Sequence, residues 1–311
     1  MIKIIESGSL NKKTVLITGI NGFIGTHLAR YIKNEFPEAR VIGIDLYTKT
    51  DEHKTYIVDL LNKDSVFKIV REIKPDFIFH LAGIIYSNNW KELYLSNVEA
   101  TVNLLEAVRE NGLSVRVIVP GSAAEYGLVS SERLPLTEDN RTNPVKPYGV
   151  SKVWQTAVTQ YYASLGVDVV IGRVFNVIGE GLPENSSIGS FARQISMIKQ
   201  MMCPARIMVG NLSSKRDFLD IYDVCSALVS VALRGKKGEI YNISSGSSIA
   251  MEKILVLMCT ESALDVEIVV DPSRMAQGDI PDIFGSNTKL VEECAWHLKV
   301  PIDLSIKKLF A

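Results

Sequence analysis

Thr14-Val-Leu-Ile-Thr-Gly19-Ile-Asn-Gly22-Phe-Ile-Gly25-Thr-His-Leu-Ala29 is an apolar run that breaks into three glycines spaced three apart and resumes with helical periodicity. A strand, a tight turn and a helix that together hold a dinucleotide are written this way. Gly19 permits the turn, Gly22 carries no Cβ to block a pyrophosphate, and Gly25 lets the helix lie close on the strand. The helix N-terminus then faces the phosphates. Asn21, Phe23 and Ile24 therefore fall with the three glycines in the expected cofactor-binding stretch. The first two glycines stand one residue further apart than in the dehydrogenase fingerprint, so the motif needs support from the rest of the chain.

That support begins with Val41-Ile-Gly-Ile-Asp45-Leu, an apolar run ending in an acid. It lies about 20 residues past the last glycine, where a ribose-binding carboxylate belongs. Asp45 is the expected ribose partner, and its charge would repel a 2′-phosphate. No arginine follows it directly to reward one. The reading favours NAD(H), with NADP(H) left open because Lys49 and Lys54 stand nearby in sequence.

With 311 residues, 47% of them hydrophobic, the chain can bury a large core as one large or two modest domains. The net charge of −1, with both signs interspersed, leaves no electrostatic footprint for nucleic acid or an acidic membrane. Cys203, Cys225, Cys259 and Cys294 are scattered, without a C-x-x-C or a nearby histidine cluster, so no metal site is expected and a reducing cytosol fits. Met1-Ile-Lys-Ile-Ile-Glu lacks the apolar centre of a signal peptide, and no apolar run has the length of a membrane span. The expectation is a soluble cytoplasmic protein.

Further along, Tyr56-Ile-Val-Asp59-Leu60 reads as a strand end on the cofactor side, followed by a helical pattern through Val66, Ile69, Val70 and Ile73. Asp59 either meets an adenine amine, with Leu60 beside it, or serves as a turn or helix-cap residue. Pro75-Asp-Phe-Ile-Phe-His80-Leu81-Ala82-Gly83 is a buried strand emptying into small residues that leave room for a cofactor. His80 reads as a packing residue, since no acid or nucleophile is written beside it. Helical periodicity runs from Trp90 to Glu110, where Asn97 either supports the site or faces solvent.

Val115-Arg-Val-Ile-Val-Pro-Gly121 is then a central strand, with Ser122 just past it, at the carboxyl edge where open α/β sheets place chemistry. Tyr148-Gly-Val-Ser-Lys152 opens a long helix whose apolar side reads as Trp154, Ala157, Val158 and Tyr161. Tyr148 and Lys152, four apart, share a helix face. An ammonium near the phenol, with the Ser122 hydroxyl brought alongside, would make a proton donor poised below the free tyrosine pKa of about 10. Tyr-x-x-x-Lys is common by chance; its weight comes from order, since glycine loop, acid, serine and Tyr-x-x-x-Lys appear in the sequence a parallel sheet requires.

On these motifs the chain, from about Lys13 to its C-terminus, resembles the extended short-chain dehydrogenases/reductases that act on nucleotide-diphosphate sugars. The resemblance implies an α/β fold, a Rossmann-type doubly wound parallel sheet with a smaller C-terminal substrate-binding domain. It implies a dinucleotide-binding domain over 13–175 plus 217–245 and a nucleotide-sugar-binding domain over 176–216 plus 246–311. Ser122, Tyr148 and Lys152 match the family's catalytic triad, Lys152 also holding the nicotinamide ribose. Asn176, Arg216 and Arg274, with Ser122, match substrate-binding positions, the arginines suiting diphosphate oxygens. Without the resemblance, either arginine could equally be a surface ion pair. The family also implies a homodimer pairing the helices of residues 90–110 and 148–165.

Within the family, Gly121-Ser-Ala-Ala-Glu-Tyr-Gly127, the Gly210-Asn-Leu…Arg216-Asp pattern and Ile283-Phe-Gly-Ser-Asn287 most resemble reductases of GDP-linked 4-keto-6-deoxy-mannose. The implied reaction is hydride transfer from NAD(P)H to the sugar C4 carbonyl. An NAD-dependent nucleotide-sugar 4-epimerase is the alternative within the family, and a non-catalytic dinucleotide-binding protein the alternative outside it. Dehydration is not expected, because Ala123 and Ala124 stand where sugar dehydratases of the family carry carboxylates. Glu125, in an extended segment, would point to the opposite side, and only a loop twist would turn it inward.

Overall fold

The computed structural model describes residues 9–49, 53–275 and 280–310. The reading of residues 1–6 therefore lies outside the described residues. In chain order the first half runs β1 (Thr14–Thr18), α1 (Phe23–Glu35), β2 (Arg40–Asp45), β3 (Lys54–Ile57), α2 (Lys63–Ile73), β4 (Phe77–His80), α3 (Trp90–Tyr94), α4 (Ala100–Glu110), β5 (Arg116–Ser122) and α5 (Pro147–Ser164). Then follow β6 (Asp168–Val174), β7 (Asn176–Ile178), α6 (Ser187–Lys199), β8 (Arg206–Val209), β9 (Lys215–Arg216), β10 (Phe218–Asp220), α7 (Ile221–Arg234) and β11 (Ile240–Ile243). Last come β12 (Ile249–Ala250), α8 (Met251–Ser262), β13 (Glu267–Val270), β14 (Asp282–Ile283), α9 (Thr288–Cys294) and α10 (Ile302–Lys308).

Seven parallel strands form the main sheet in the order β11-β6-β5-β4-β1-β2-β3. Strands such as Phe77–His80 are buried on both faces and read as unbroken apolar runs, as a helix-covered parallel sheet requires. One core, including Ile17, Leu28, Phe79 and Leu228, lies on one face; another, including Leu16, Ile42, Val70 and Leu104, lies on the other. Strand order reverses between β1 and β4, which opens the crevice where such sheets bind ligands. This is the doubly wound α/β architecture expected from the sequence.

A third core gathers Ile188, Phe191 and Ile195 of α6, Ile207 and Val209 of β8, Ile254 and Leu255 of α8 and Ile306 of α10. Small strand sets distinct from the main sheet accompany it: β10 pairs with β7, β9 lies between β12 and β14, and β8 pairs with β13. Residues 288–296 do not join that third core. Leu290, Cys294 and Trp296 bury themselves in the core of the main sheet, and the Trp296 indole N–H donates to Ser226 Oγ of α7 at 2.8 Å.

Two local features depart from the sequence reading. The continuous helix expected over residues 90–110 carries a π-helical turn at Leu95–Glu99, between α3 and α4. Such turns are rare and cluster at functional sites, and this one includes the buried Asn97. The second departure is α5, which buries Ser151, Lys152, Gln155, Thr156, Thr159 and Tyr162 while Trp154, Ala157 and Tyr161 are exposed. The aromatic stripe read as core is the outer face, because the inner face is polar and hydrogen-bonded.

Candidate active site

The glycine loop is built as its residue types require. Gly19 has φ +68°, and a Cβ there would lie 2.7 Å from the Ala82 backbone nitrogen. A Cβ on Gly25 would collide with the Gly19 carbonyl, so α1 lies directly on the loop. Gly22 occupies the N-cap with no side-chain cap, and the first turn of α1, Phe23-Ile24-Gly25, carries no acid. The unshared N–H groups and positive end of the helix are left for an anion.

Asp45 sits beside this loop at the end of β2. Its Oδ2 accepts from the Asn21 N–H at 2.9 Å and its Oδ1 from the Leu46 N–H at 2.8 Å. The Asn21 side-chain amide donates to the Tyr47 carbonyl, while its Oδ1 is buried without a protein partner. A buried carbonyl oxygen wanting a donor, next to a carboxylate and a bare helix start, fits the ribose and pyrophosphate of a dinucleotide. Asp59 is exposed, and its Oδ1 accepts from the Leu61 N–H at 2.9 Å, a turn contact; Leu60 is buried behind it.

On the other side of the crevice, Leu81-Ala82-Gly83 leaves β4. The Ala82 N–H donates to Thr18 Oγ1 at 3.2 Å. Asn97 clamps the next residue through both ends of its amide, accepting from Ile84 N–H at 2.9 Å and donating to Ile84 O at 3.0 Å. It also donates to Ser151 Oγ at 2.9 Å, so Asn97 is a buried brace between the β4 loop and α5 and does not face solvent. His80 is fully buried, its ring nitrogens 2.8 Å from Thr18 Oγ1 and 2.9 Å from Thr101 Oγ1. Burial, reinforced by the Lys152 charge, lowers its pKa to about 3 and keeps it neutral.

Ser122, Tyr148 and Lys152 meet at the carboxyl edge of β5. Gly149 makes this approach possible: a Cβ there would collide with the Ala124 carbonyl. Residues Ala123–Glu125 form a single 3₁₀ turn capped by Ser122, whose Oγ accepts from the Ala124 N–H at 3.2 Å. The Ser122 N–H donates to Glu125 Oε1 at 2.7 Å, completing a capping box. The sequence reading of an extended segment is thus corrected to a turn. It directs Glu125 into the interior, where Oε2 accepts from Thr156 Oγ1 at 2.9 Å and Arg173 Nη2 at 2.8 Å.

The electrostatics of the triad also differ from the reading. Lys152 donates to the Pro120 carbonyl at 2.6 Å and to Gln155 Oε1. Desolvation pushes the Tyr148 phenol up to about 12, the Ser122 hydroxyl pulling the other way, so it is not poised below its ordinary value. The physical reason is that burial outweighs hydrogen bonding here. Lys152 is lowered to about 8 by burial, with Glu125 opposing.

On the substrate side, Asn176 donates its backbone and side-chain N–H to the Asp217 carbonyl at 3.1 and 2.9 Å. The buried Asp217 carboxylate accepts from Ser245 N–H at 2.8 Å and Gly285 N–H at 3.2 Å, joining three segments behind Asn176. Burial raises its pKa to about 6, against the pull of those backbone donors. Arg216 Nη1 donates to the Lys215 and Ile280 carbonyls. Arg274 is exposed, pairs with Asp271 at 3.4 Å and reaches Ser190 Oγ and the Met208 carbonyl. The sequence reading gave no role to Gln155, Thr101, Arg173 or Asp217; all are buried and polar, and of the four only Asp217 falls in a quoted pattern, where it follows Arg216.

A switch-point crevice with a dinucleotide loop on one side and a serine, tyrosine and lysine on the other defines a nucleotide-dependent enzyme of the Rossmann class. Residues 15–244 match the NAD dependent epimerase/dehydratase family, and the chain belongs to it. It is 31% identical over 303 residues to GDP-6-deoxy-D-mannose reductase of Pseudomonas aeruginosa, covering 96% of each chain. It is 30% identical over 285 residues to GDP-6-deoxy-D-talose 4-dehydrogenase of Aggregatibacter actinomycetemcomitans, covering 89% of this chain and 90% of that one. Among solved structures, RMD from Pseudomonas aeruginosa complexed with NADPH superposes with a TM-score of 0.83 at 29% identity, over 96% of this chain and 97% of that one.

Proposed function

We propose that this protein is an NAD(P)H-dependent reductase acting on the C4 keto group of a GDP-linked 4-keto-6-deoxy sugar. The observation that carries the reading is the convergence of Ser122, Tyr148 and Lys152 at the edge of β5, with the phenol held protonated by burial. Reduction of a ketone leaves an alkoxide that needs a proton, and a phenol pushed up to about 12 remains a donor throughout the neutral range. A bound reduced nicotinamide dinucleotide supplies the hydride. Tyr148 gives its proton to the forming oxygen while the Ser122 hydroxyl donates a hydrogen bond to the same atom. Lys152 contributes positive charge beside them. Gly19, Asn21, Gly22 and Asp45 hold the dinucleotide, with Leu81, Ala82 and Gly83 across the crevice. Asn176, Arg216 and Arg274 receive the nucleotide diphosphate. Support for guanine comes from the likeness to two relatives named for GDP-linked 6-deoxy sugars.

The test is to mix purified protein with NADH or NADPH and ready-made GDP- or UDP-linked 4-keto-6-deoxy sugars. Stoichiometric loss of reduced nicotinamide with the GDP-linked substrate is expected. Tightly retained NAD together with interconversion of sugar epimers, without net consumption, would replace this reading by the epimerase.

The protein works as a cytoplasmic homodimer in this reading. Trp90, Tyr94, Trp154, Tyr161 and Leu165 form an exposed apolar surface over α3 and α5, the Trp90 and Trp154 rings 6.0 Å apart. Among the described residues, no helix is long and apolar enough to cross a membrane. Light scattering of wild type against Trp154→Glu tests the dimer; a monomeric wild type refutes it.

A further inference from the structure

A buried hydrogen-bond chain starts at Lys152 and leaves the triad in the direction of the cofactor loop. Lys152 donates to Gln155 Oε1, and Gln155 Nε2 donates to Thr101 Oγ1 at 2.8 Å. The Thr101 hydroxyl donates its one proton to the Asn97 carbonyl at 2.8 Å. It must therefore accept from His80 Nε2–H, 2.9 Å away, which leaves His80 Nδ1 to accept from the Thr18 hydroxyl at 2.8 Å. Thr18 Oγ1 in turn accepts from the Ala82 N–H at 3.2 Å. Lys152, Gln155, Thr101, His80 and Thr18 are all buried. Each donor and acceptor named along the chain has a single consistent role, so the Gln155 amide has one orientation, oxygen toward the ammonium.

We propose that Gln155 is the positioning residue of the active-site lysine: its amide oxygen seats the Lys152 ammonium and, through Thr101 and His80, ties that seat to the backbone of the cofactor crevice. The apolar stem of a lysine has no directional preference of its own, and the other fixed acceptor, the Pro120 carbonyl, lies on the β5 side at 2.6 Å. Two acceptors on different elements fix the nitrogen where one would let it swing. Gln155 is buried with both ends of its amide on protein groups, so its effect passes through Lys152.

Around the ammonium, the titratable groups are His80 from β4, Glu125 from the turn after β5 with its partner Arg173, and Tyr148 one turn back on α5. His80 is neutral, and Glu125, held in its ion pair with Arg173, opposes the effect of burial on the ammonium; both stay unchanged when residue 155 is varied, so the Gln155 dipole is the influence a substitution there adjusts. Burial already lowers Lys152 to about 8. Loss of an acceptor lowers it further, and a carboxylate in the same place raises it.

The inference rests on the reading of Lys152 as part of the reductase triad, so its experiment includes a measurement that needs no turnover. Protein carrying lysine labelled with carbon-13 at Cε is titrated by NMR, the Lys152 signal being the one absent from Lys152→Met. Gln155→Met, close in volume, should lower the Lys152 midpoint by roughly one unit; Gln155→Glu should raise it by at least about as much. The alkaline limb of kcat/KM for keto-sugar reduction should move in the same directions. Both variants should melt cooperatively and bind NADH, with Gln155→Met weakened several-fold. Midpoints that stay in place, or move the same way in both variants, overturn the proposal. Opposite shifts in the NMR midpoint with no matching change in the rate profile leave the seat established and refute the role of Lys152 in reduction.

Discussion

Arg173 Nη2 stands 2.8 Å from Glu125 Oε2, with both side chains buried and the guanidinium carbon 4.6 Å from the Tyr126 ring centroid. The same carboxylate receives the Ser122 N–H and the Thr156 hydroxyl, so a single ion pair fixes the catalytic turn to β6 and α5. Removing one partner strands a charge in the interior, which typically costs about 3–5 kcal/mol. Arg173→Met should show a loss of that size in urea unfolding. The double variant Glu125→Val/Arg173→Met should recover only part of it, because no charge is stranded but the Ser122 N–H and the Thr156 hydroxyl lose their acceptor. A loss below about 1 kcal/mol in the single variant would mean that the pair does not hold the turn.

Tyr148→Phe removes the phenolic proton and little else. Turnover should fall by at least about 10²-fold while NADH affinity, followed by fluorescence, stays within a few-fold of wild type. Near-normal turnover with normal binding would exclude Tyr148 as the proton donor.

The backbone of this molecule was legible because its signals are local. Gly19 and Gly25 are dictated by a positive φ and a close approach within one strand–turn–helix, and Asp45 by the end of the next strand. Ser122, Tyr148 and Lys152 could be read from their order along a parallel sheet. What escaped is the buried polar layer beneath them. Trp154 and Tyr161 look like core and are exposed, whereas Gln155, Thr156 and Thr159 look like surface and are buried. Their burial is offset by partners on distant elements, such as Thr101 at 2.8 Å and Glu125 at 2.9 Å, and no periodicity records such pairings. The phenol pKa was misread for the same reason, since desolvation is a property of the assembled crevice.

Lys152 should make stability depend on pH in a defined window. Its folded pKa of about 8 lies below the ordinary lysine value of 10.5, so between those two values the unfolded chain holds more protons than the native one. Stability from this group therefore rises with pH across that window, and below it the buried ammonium is a constant cost. Lys152→Met should be more stable than wild type at pH 7, with the gap closing toward pH 10 as the native lysine loses its proton. Urea midpoints at the two pH values check this; a gap that widens with pH would reverse the sign and refute it.

Asp45 should set the choice between cofactors. Its carboxylate braces the Asn21 N–H and would face a 2′-phosphate with like charge, while Lys54 is engaged over the Tyr56 ring at 4.3 Å. NADH is expected to bind more tightly than NADPH, and Asp45→Ala should narrow the difference. Equal affinities in wild type, or a preference for NADPH, would assign the choice to Lys49 and the loop after β2.

The protein should not dehydrate a nucleotide sugar, although it shares its family with dehydratases. Loss of water across C5 and C6 needs one group to take the C5 proton and another to protonate the C6 hydroxyl, a task for a pair of ionisable side chains. The positions following Ser122 hold Ala123 and Ala124, whose methyl groups carry no proton. Glu125 is the nearest acid, but the 3₁₀ turn directs it away from the crevice, and its oxygens already serve Ser122, Thr156 and Arg173. Freeing it would break a buried ion pair, so rotation toward substrate competes with several kcal/mol of lost pairing, about 3–5 by the usual measure. Incubation with GDP-mannose and NAD should therefore yield no 4-keto-6-deoxy product beyond the background without protein, while NADH is consumed on the ready-made keto-sugar. Catalytic accumulation of the keto product would refute the reductase assignment and require Glu125, or an acid from elsewhere in the chain, to reach the sugar.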